Sequence, residues 1–390
     1  MRVVIVGGSL GGLAAAVRLR LAGCDVDVFE RSRRPLEGRG AGIVLHPAMT
    51  RVLGADVSRW SAHASRLRYL DEDGAIADES PCSYRFSSYF ALYRELLRLF
   101  GRERYHLATE VVGLRDAGEA VEVETVDGRT RPCELLVGAD GVHSSTRARI
   151  APEATQRYAG YVGWRGTTYE STLGSHAFAT FAEAVTYHLL PRSHILVYPI
   201  PGPDGSLVPG RRLVNWVWYR NVPDGPPLEA LLTDRDGVRR ELSVGAGAVR
   251  DEAIAELRDA ARSSLPAVLA EVVCSSPQPF VQVVLDVAVP RMADGRVALI
   301  GDAAFVLRPH IAAGTAKAAD DARTLAEAVA RRFGDVPAAL REWEPGRLEL
   351  GRAALARSRD AGVRVQVESS WRVGDPLPFG LREAGDSYLD

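Results

Sequence analysis

The sequence predicts an α/β fold in which a parallel sheet is joined to a second, antiparallel sheet. Short apolar runs at Val3–Val6 and Leu135–Val137 have the length typical of buried parallel strands. Between residues 158 and 220 the segments instead become β-like and rich in aromatic residues, which is typical of an antiparallel sheet. A chain of 390 residues is long enough for about two domains.

Composition narrows the class of protein. Apolar residues make up 46% of the chain and charged residues 25%, which is ordinary for a globular protein. A net charge of −2 favours neither nucleic acid nor an anionic membrane as a partner, and we expect neither. The four cysteines lack metal-ligand spacing, so we expect no metal site and a reducing compartment. Without a signal peptide or an apolar run long enough to span a bilayer, we expect a cytoplasmic protein.

The first 31 residues predict a dinucleotide-binding unit. A strand at Val3–Val6 leads into a glycine cluster, a helix over residues 13–22 and a second strand that ends at Glu30. Backbone N–H groups and the positive end of a helix at such a turn attract a pyrophosphate, and glycine permits its close approach. Glu30 follows at about the distance where the ribose hydroxyls need an acceptor. The cluster consists of Gly7, Gly8, Ser9, Leu10, Gly11 and Gly12.

Ser9 stands where the G-x-G-x-x-G pattern has its middle glycine. A small hydroxyl side chain is still able to lie close to a phosphate, although the match to the pattern is weaker. The alternative is an ordinary glycine turn before a packed helix. The agreement of strand, helix and terminal acid favours dinucleotide binding.

Two further buried strands end in turns that contain glycine and aspartate. The first runs into Asp140, which is placed to accept hydrogen bonds from a ribose or a flavin side chain, or else to cap the next helix. The second runs into Asp302 and continues through Pro309 and His310 to a turn of small residues. That turn is Ala312, Ala313 and Gly314. The glycines from Gly38 to Gly42 either let the backbone pass close to something flat or form a flexible turn.

These three motifs, in this order and spacing, resemble those of the single-component flavin-dependent aromatic hydroxylases that share the para-hydroxybenzoate hydroxylase fold. The resemblance covers residues 1 to about 350. Residues 158–166, 198–202 and 308–314, with Ser9 and Phe305, are similar to the dihydroxypyridine hydroxylase branch of that family.

The resemblance implies an FAD/NAD(P)-binding Rossmann-like domain of the GR2 type, interleaved with an antiparallel β-sheet substrate domain. The FAD-binding domain would comprise residues 1–160 and 282–350, and the substrate domain residues 161–281. Residues 66–90 are candidates to join the substrate domain, and a C-terminal helix and tail would occupy residues 351–390. From Gly374 onward we expect a loose tail.

The resemblance also implies FAD as cofactor and NADH or NADPH as electron donor. In many relatives an arginine near the helix at residues 91–100 binds FAD, but Arg85 and Arg94 do not fit that role cleanly. The implied cofactor-binding residues are Gly7, Gly8, Ser9, Leu10, Gly11, Gly12, Glu30, Arg31, Gly42, Asp140, Asp302, Ala312, Ala313 and Gly314.

The implied activity is hydroxylation of a small electron-rich aromatic or hydroxy-heteroaromatic such as a dihydroxypyridine, with O2, through a flavin C4a-hydroperoxide. A homodimer is a further expectation. Three alternatives stay open: hydroxylation of another aromatic (a hydroxybenzoate, a urate-like purine or a natural-product phenol), a flavin reductase that does not oxygenate, and a flavin-binding regulator.

Such an enzyme needs a group that takes a proton from the substrate hydroxyl. We assign this role to His310, which follows Pro309 beside the expected flavin, with His46 as second choice. A purely structural His310 is the alternative. Arg165 would pair with an anionic substrate or with a surface acid. The other expected substrate-pocket residues are Tyr187, His188, Trp218 and Tyr219, although sheet parity sends half of each strand into the core.

Overall fold

The computed structural model describes residues 1–36, 42–54 and 56–389. Residues 38–41 of the second glycine cluster lie outside the described residues. The strands are β1 (Arg2–Val6), β2 (Asp25–Phe29), β3 (Gly42–Val44), β4 (Ala62–Leu70), β5 (Ile76–Ser88), β6 (Tyr105–His106), β7 (Val111–Asp116), β8 (Val121–Thr125), β9 (Thr130–Cys133), β10 (Leu135–Gly138), β11 (Gln156–Tyr169), β12 (Ala184–Leu190), β13 (Ser193–Ile200), β14 (Leu213–Asn221), β15 (Ser243–Val244), β16 (Phe280–Val287), β17 (Ala293–Asp294) and β18 (Val297–Leu299).

The helices separate groups of these strands, and the two longest helices come last. The α-helices are α1 (Leu10–Leu21), α2 (Pro47–Leu53), α3 (Tyr89–Phe100), α4 (Ser145–Ile150), α5 (Ser175–Phe181), α6 (Pro226–Leu232), α7 (Asp251–Ser264), α8 (Ala267–Cys274), α9 (Gly314–Arg331) and α10 (Val336–Gln366). Short 3₁₀ turns occur at Val57–Trp60, Glu170–Thr172, Gly301–Ala303 and Pro309–Ile311.

The predicted parallel sheet has the strand order β17-β18-β10-β1-β2-β6. Strand β1 pairs in parallel with β10 and β2, and β10 pairs in parallel with β18. These strands are buried, which explains their nearly continuous apolar sequences. Because parallel strands end at one edge of a sheet, the three predicted motifs, which follow β1, β10 and β18, lie side by side.

The predicted antiparallel sheet has nine strands in the order β15-β16-β11-β14-β13-β12-β4-β5-β3. Strands β3, β4 and β5 come from the first 90 residues and extend this sheet beyond β12, which pairs in parallel with β4. On the other side β16 pairs with β11, so this sheet continues past residue 281, where we placed the end of the substrate domain.

The two faces of this sheet pack against different partners. Trp164, Trp216 and Trp218 share a cluster with apolar residues of α5, α7 and α8. Tyr187 and Tyr219 belong to a separate cluster on the opposite face. This separation follows from the two-residue period of a strand, as the sequence predicts for Trp216 and Trp218 against Tyr219.

The segment after α10 differs from the loose tail that we expected. Trp371, Leu377, Phe379 and Leu381 are each buried. Arg357 of α10 donates hydrogen bonds to backbone carbonyls of this segment, which hold it against the protein. Its many Pro and Gly residues therefore accompany an irregular but packed path. In the described part of the chain, no helix has both the length and the apolar character that crossing a membrane requires.

Two glycines of α10 provide a matched test of the packing. A Cβ at Gly351 would lie 2.5 Å from the Phe305 ring, whereas a Cβ at Gly346 would meet nothing within 4 Å. We expect Gly351→Ala to lower the free energy of unfolding by about 1–3 kcal/mol through overpacking. Gly346→Ala should raise it by up to about 1 kcal/mol, because alanine is the better helix former. Denaturant unfolding of both variants measures this, and equal shifts would contradict the described packing.

Candidate active site

Two glycines of the cluster after β1 are in close contact with neighbouring backbone. A Cβ at Gly12 would lie 1.9 Å from the Gly7 carbonyl oxygen, and one at Gly7 would lie 2.4 Å from the carbonyl oxygen of Ala139. Gly7 also has a φ of +101°, which disfavours any residue with a side chain. The turn therefore requires glycine at both positions and presses directly against the second motif.

The remaining residues of the cluster have different roles. A Cβ at Gly8 would collide with the Tyr105 ring, and one at Gly11 would lie 3.2 Å from the Ala318 Cβ on α9. Leu10 is buried, and its side chain belongs to the core. Only Gly7 and Ser9 of this cluster line the adjoining cleft, together with Glu30 and Arg31.

Glu30 is held at the glycine turn by backbone donors. Its carboxylate accepts hydrogen bonds from the N–H of Gly8 at 2.9 Å and of Ser32 at 2.8 Å, and the residue is buried. The carboxylate thus lies at the end of β2 beside the turn, where the sequence places an acceptor for ribose hydroxyls.

Ser9 shares a hydrogen bond of 2.7 Å with the hydroxyl of Tyr89, the first residue of α3. Tyr89 stacks on Tyr93 with the rings 9° from parallel. The Tyr93 hydroxyl donates to Tyr105, and Tyr105 donates to the Gly8 carbonyl oxygen at 2.9 Å. Tyr89 also lines the cleft. It was not among the expected residues, because the family resemblance pointed to an arginine near this helix.

The two aspartates of the other motifs differ in their environment. Asp140 accepts hydrogen bonds from Ser144, Ser145 and Thr146, so it caps α4 while also lining the cleft. Asp302 is exposed to the cleft. Desolvation by the surrounding protein raises the pKa of its carboxyl group, and the positive charges of Lys317 and Arg147 offset part of that rise.

Arg147 joins these two motifs through its guanidinium. It donates to the carbonyl oxygens of Gly141, Val142, Asp302 and Ala303. A single buried side chain therefore fixes the turn after β10 relative to the turn after β18. No sequence motif marks Arg147 as a residue of the site, and it is recognised only from its contacts in the structure.

The cleft continues as three adjoining cavities. The first, about 620 Å³, extends from Gly7 to Gln282. The second, about 310 Å³, shares Gln282 with the first and contains Asp302. The third, about 230 Å³, shares Asp302 with the second and reaches Trp371. Residues of the implied cofactor set that line the third are Gly42, Asp302, Ala312, Ala313 and Gly314.

This arrangement fits FAD. The glycine cradle suits a pyrophosphate, Glu30 suits a ribose, and the elongated cleft suits a dinucleotide whose ring system ends beside an apolar cavity. Ala312 has a φ of +52° and precedes α9, so the turn before that helix is tightly wound. Gly42 begins β3 at the edge of the nine-stranded sheet, and its N–H donates to Asn215 at 2.9 Å.

Aromatic and imidazole rings form much of the third cavity. The rings of Tyr187 and His194 are 3° from parallel with centroids 6.1 Å apart, and His194 stacks on Tyr219 at 4.7 Å. Tyr187 and Tyr219 lie in the cavity as expected residues, whereas His194 and Trp371 were overlooked. Arg165 also lines the cavity, and its charge opposes the rise in the pKa of Tyr219 that burial causes.

His310 lies in this cavity next to Pro309. Its Nε2 is hydrogen-bonded to the Tyr161 hydroxyl at 2.7 Å, and its Nδ1 is buried without a hydrogen-bond partner among the described residues. Burial lowers the pKa of His310 well below its usual value, and His194 and Arg308 lower it further. The imidazole is therefore neutral at neutral pH.

Three expected residues are found outside this cavity. His46 caps α2 through Nδ1 and pairs with Asp386 through Nε2 at 3.0 Å. His188 donates from Nδ1 to the Leu70 carbonyl oxygen, which satisfies it within the sheet. Trp218 lies on the opposite face of the sheet from Tyr219, which is the parity effect that excludes alternate residues of a strand.

The parallel sheet, the phosphate-binding turn and the aromatic cavity define an FAD-dependent oxidoreductase. Family models agree: one described as an NAD(P)-binding Rossmann-like domain matches residues 5–47, and one described as FAD binding domain-like matches residues 158–286. The 2,6-dihydroxypyridine 3-monooxygenase of Paenarthrobacter nicotinovorans is 40% identical over 386 residues, which covers 97% of this chain and 96% of the relative. The chain belongs to the family of FAD-dependent aromatic hydroxylases.

Other comparisons agree with this assignment. An FAD-dependent urate hydroxylase of Klebsiella pneumoniae is 27% identical and covers 95% of this chain and 93% of its own. The solved structure of 2,6-dihydroxypyridine-3-hydroxylase from Arthrobacter nicotinovorans has a TM-score of 0.91 at 39% identity, covering 97% of this chain and 96% of that one. The expected family, α/β fold, FAD cofactor and monooxygenase class are confirmed.

The contact between Ser9 and Tyr89 predicts a role in cofactor affinity. Removing the Tyr89 hydroxyl should weaken the free energy of FAD binding by about 0.5–1.5 kcal/mol. Tyr89→Phe should therefore raise the FAD dissociation constant of the apoprotein roughly 2- to 10-fold. Quenching of flavin fluorescence on titration measures it. Tyr93→Phe is the comparison, because Tyr93 belongs to the same ring stack but is outside the cleft lining and reaches the cradle only through Tyr105, so its effect should be smaller. Equal effects of the two variants would contradict a direct role.

Burial of His194 predicts a pH dependence of stability. Burial lowers its pKa to about 3, so the unfolded chain binds a proton below about pH 6.5 that the folded protein does not bind. As pH falls from 6.5 towards 3, this residue should remove about 1.4 kcal/mol of unfolding free energy per pH unit. Denaturant unfolding at pH 5.5 and 7.5 should show a smaller loss in His194→Gln. The exposed His176→Gln should behave as wild type, and an unchanged loss in His194→Gln would contradict the assignment.

Proposed function

We propose that this enzyme hydroxylates a small hydroxy-heteroaromatic ring of the dihydroxypyridine type. The observation that carries the proposal is the 230 Å³ cavity, walled by aromatic rings, in which one ring nitrogen of His310 has no hydrogen-bond partner among the described residues. The activity of the 40% identical relative supports the choice of ring. When bound and reduced by NADH or NADPH, FAD would activate O2, of which one atom enters the ring and the other leaves as water.

The walls of the cavity have two tasks in this proposal. Buried aromatic side chains exclude water, which protects the oxygen transfer from wasteful release of hydrogen peroxide. The ring faces of His194, Tyr219 and Tyr187 also orient a planar guest by stacking. Arg165 is the cationic group available to an anionic form of the substrate.

His310 activates the substrate in this proposal. In the tautomer whose Nε2–H donates to the Tyr161 oxygen, Nδ1 has a lone pair that can accept the proton of a substrate hydroxyl. Loss of that proton makes the ring more electron-rich at the carbon that receives oxygen. His46 does not fit this role, because its two ring nitrogens are occupied by Ala48 and Asp386.

Finer features stay predictions. We propose a cytoplasmic location, which the four free cysteines support. A homodimer and the choice between NADH and NADPH rest on the family resemblance alone.

Labelled oxygen tests the reaction class. With 18O2 and NADH or NADPH, one labelled atom should appear in the hydroxylated product for each nicotinamide oxidised. Mass spectrometry of the product measures this, with hydroxypyridines, hydroxybenzoates and purines screened in parallel. Rapid oxidation of the nicotinamide with no label in any product would instead favour a flavin reductase.

Substitution of His310 tests the base. His310→Gln should lower kcat about 10²-fold or more, since general bases contribute roughly 10²- to 10⁴-fold. Because the pKa of His310 is well below its usual value, wild-type kcat should not fall through its protonation between pH 8 and 6.5. Tyr161→Phe keeps the imidazole but removes its partner and should cost less. Unchanged turnover and an unchanged pH profile in His310→Gln would refute the role.

A further inference from the structure

The C-terminal segment of residues 367–389, called the strap here, forms part of the wall of the substrate cavity. Trp371 and Phe379 are both buried, and both line the cavity. The other walls come from the antiparallel sheet and from the segment of residues 302–315 that leads into α9. Residues 367–389 contain neither helix nor strand.

Trp371 is held in a defined orientation within the strap. Its ring is 21° from parallel to both Tyr187 and His194, at centroid distances of 6.2 and 6.4 Å. The indole N–H donates to the Tyr69 hydroxyl at 3.1 Å, and Tyr69 in turn donates to the Asp375 carbonyl oxygen at 2.6 Å. The indole nitrogen is therefore satisfied away from the guest, and the ring acts in the cavity through its shape.

The strap is anchored at several independent points. Arg357 binds three strap carbonyls, and Arg364 pairs with Asp375 at 2.8 Å. The N–H of Gly380 donates to the carbonyl oxygen of Ile311 at 2.9 Å, next to the turn that begins at Ala312. The strap consequently connects the substrate cavity to the cofactor-side turn. Such anchoring indicates a fixed wall with a fixed position for Trp371.

We propose that Trp371 is a specificity-determining residue that limits the site to single-ring substrates; this inference rests on the proposed function. A cavity of about 150 Å³ is enough to hold benzene. The 230 Å³ here is also bordered by residues that would contact the flavin, so the share left for the guest suits one six-membered ring with polar substituents. A fused two-ring guest needs the space that the indole occupies. Replacing the indole opens that space and also admits water.

The test compares two guests on the FAD-loaded enzyme. Binding of 2,6-dihydroxypyridine and of 2,4-dihydroxyquinoline is followed through the visible spectrum of the bound flavin. Trp371→Ala should weaken binding of the single ring at least 10-fold and strengthen binding of the two-ring guest at least 10-fold. Hydrogen peroxide released per nicotinamide oxidised should rise. Trp371→Phe, which keeps a ring, should give intermediate values and covers the case in which the alanine variant fails to fold.

Tyr388→Ala is the control within the strap. Tyr388 stacks on Tyr84 at 4.7 Å and lies outside the cavity lining, so this variant perturbs the strap without enlarging the cavity. Its ratio of the two dissociation constants should equal that of wild type. A ratio unchanged within 2-fold in both Trp371 variants, or shifted equally in Tyr388→Ala, overturns the proposal.

The failure of the proposed function gives a different result. If wild type binds no dihydroxypyridine but binds another single ring, such as 4-hydroxybenzoate, the substrate proposal fails. The size limit is then measured with that ring against the same two-ring guest. If wild type binds the two-ring guest more tightly than every single ring, the size limit itself is wrong.

Discussion

The close backbone contact between the turns after β1 and β10 is the constraint on which the rest of the site depends. Gly7 approaches Ala139 so closely that no side chain fits between them. The contact is possible because β1 and β10 are parallel neighbours whose ends coincide. Arg147 then fixes the turn after β18 to the turn after β10. One short edge of the parallel sheet thereby gathers three motifs that are far apart in the sequence.

Much of this edge was predictable because its signals are local. A strand, a glycine turn, a helix and a terminal acid are encoded within the first 31 residues, and the two glycine–aspartate turns repeat the pattern. Parallel strand ends then place the turns together by topology. Parity separates Tyr219 from Trp218 within one strand, but the sequence does not say which of the two faces the cavity. Which face meets the cavity is decided by tertiary packing, and His188 is excluded for that reason.

The remaining parts depend on contacts between distant segments. Tyr89 adjoins Ser9 only because α3 packs beside α1, and Trp371 reaches Tyr187 only because the strap returns along the sheet. His46 satisfies the chemical criterion for a base, but Asp386 occupies its Nε2. The expectation of a loose tail was wrong because it rested on composition. Proline and glycine indicate that a segment lacks helix and strand, but they do not indicate whether it packs against the protein.

The order in which the strands pair affects how fast the protein can fold. Val3 is paired with Leu135, and Leu136 with Val297, so the central ladder joins residues far apart along the chain. Chain-entropy costs of such distant pairings slow folding. Local hairpins such as β7–β8 and β12–β13 are free to form long before that ladder closes. We therefore expect the nucleotide cradle, which needs that ladder, to be assembled late in folding.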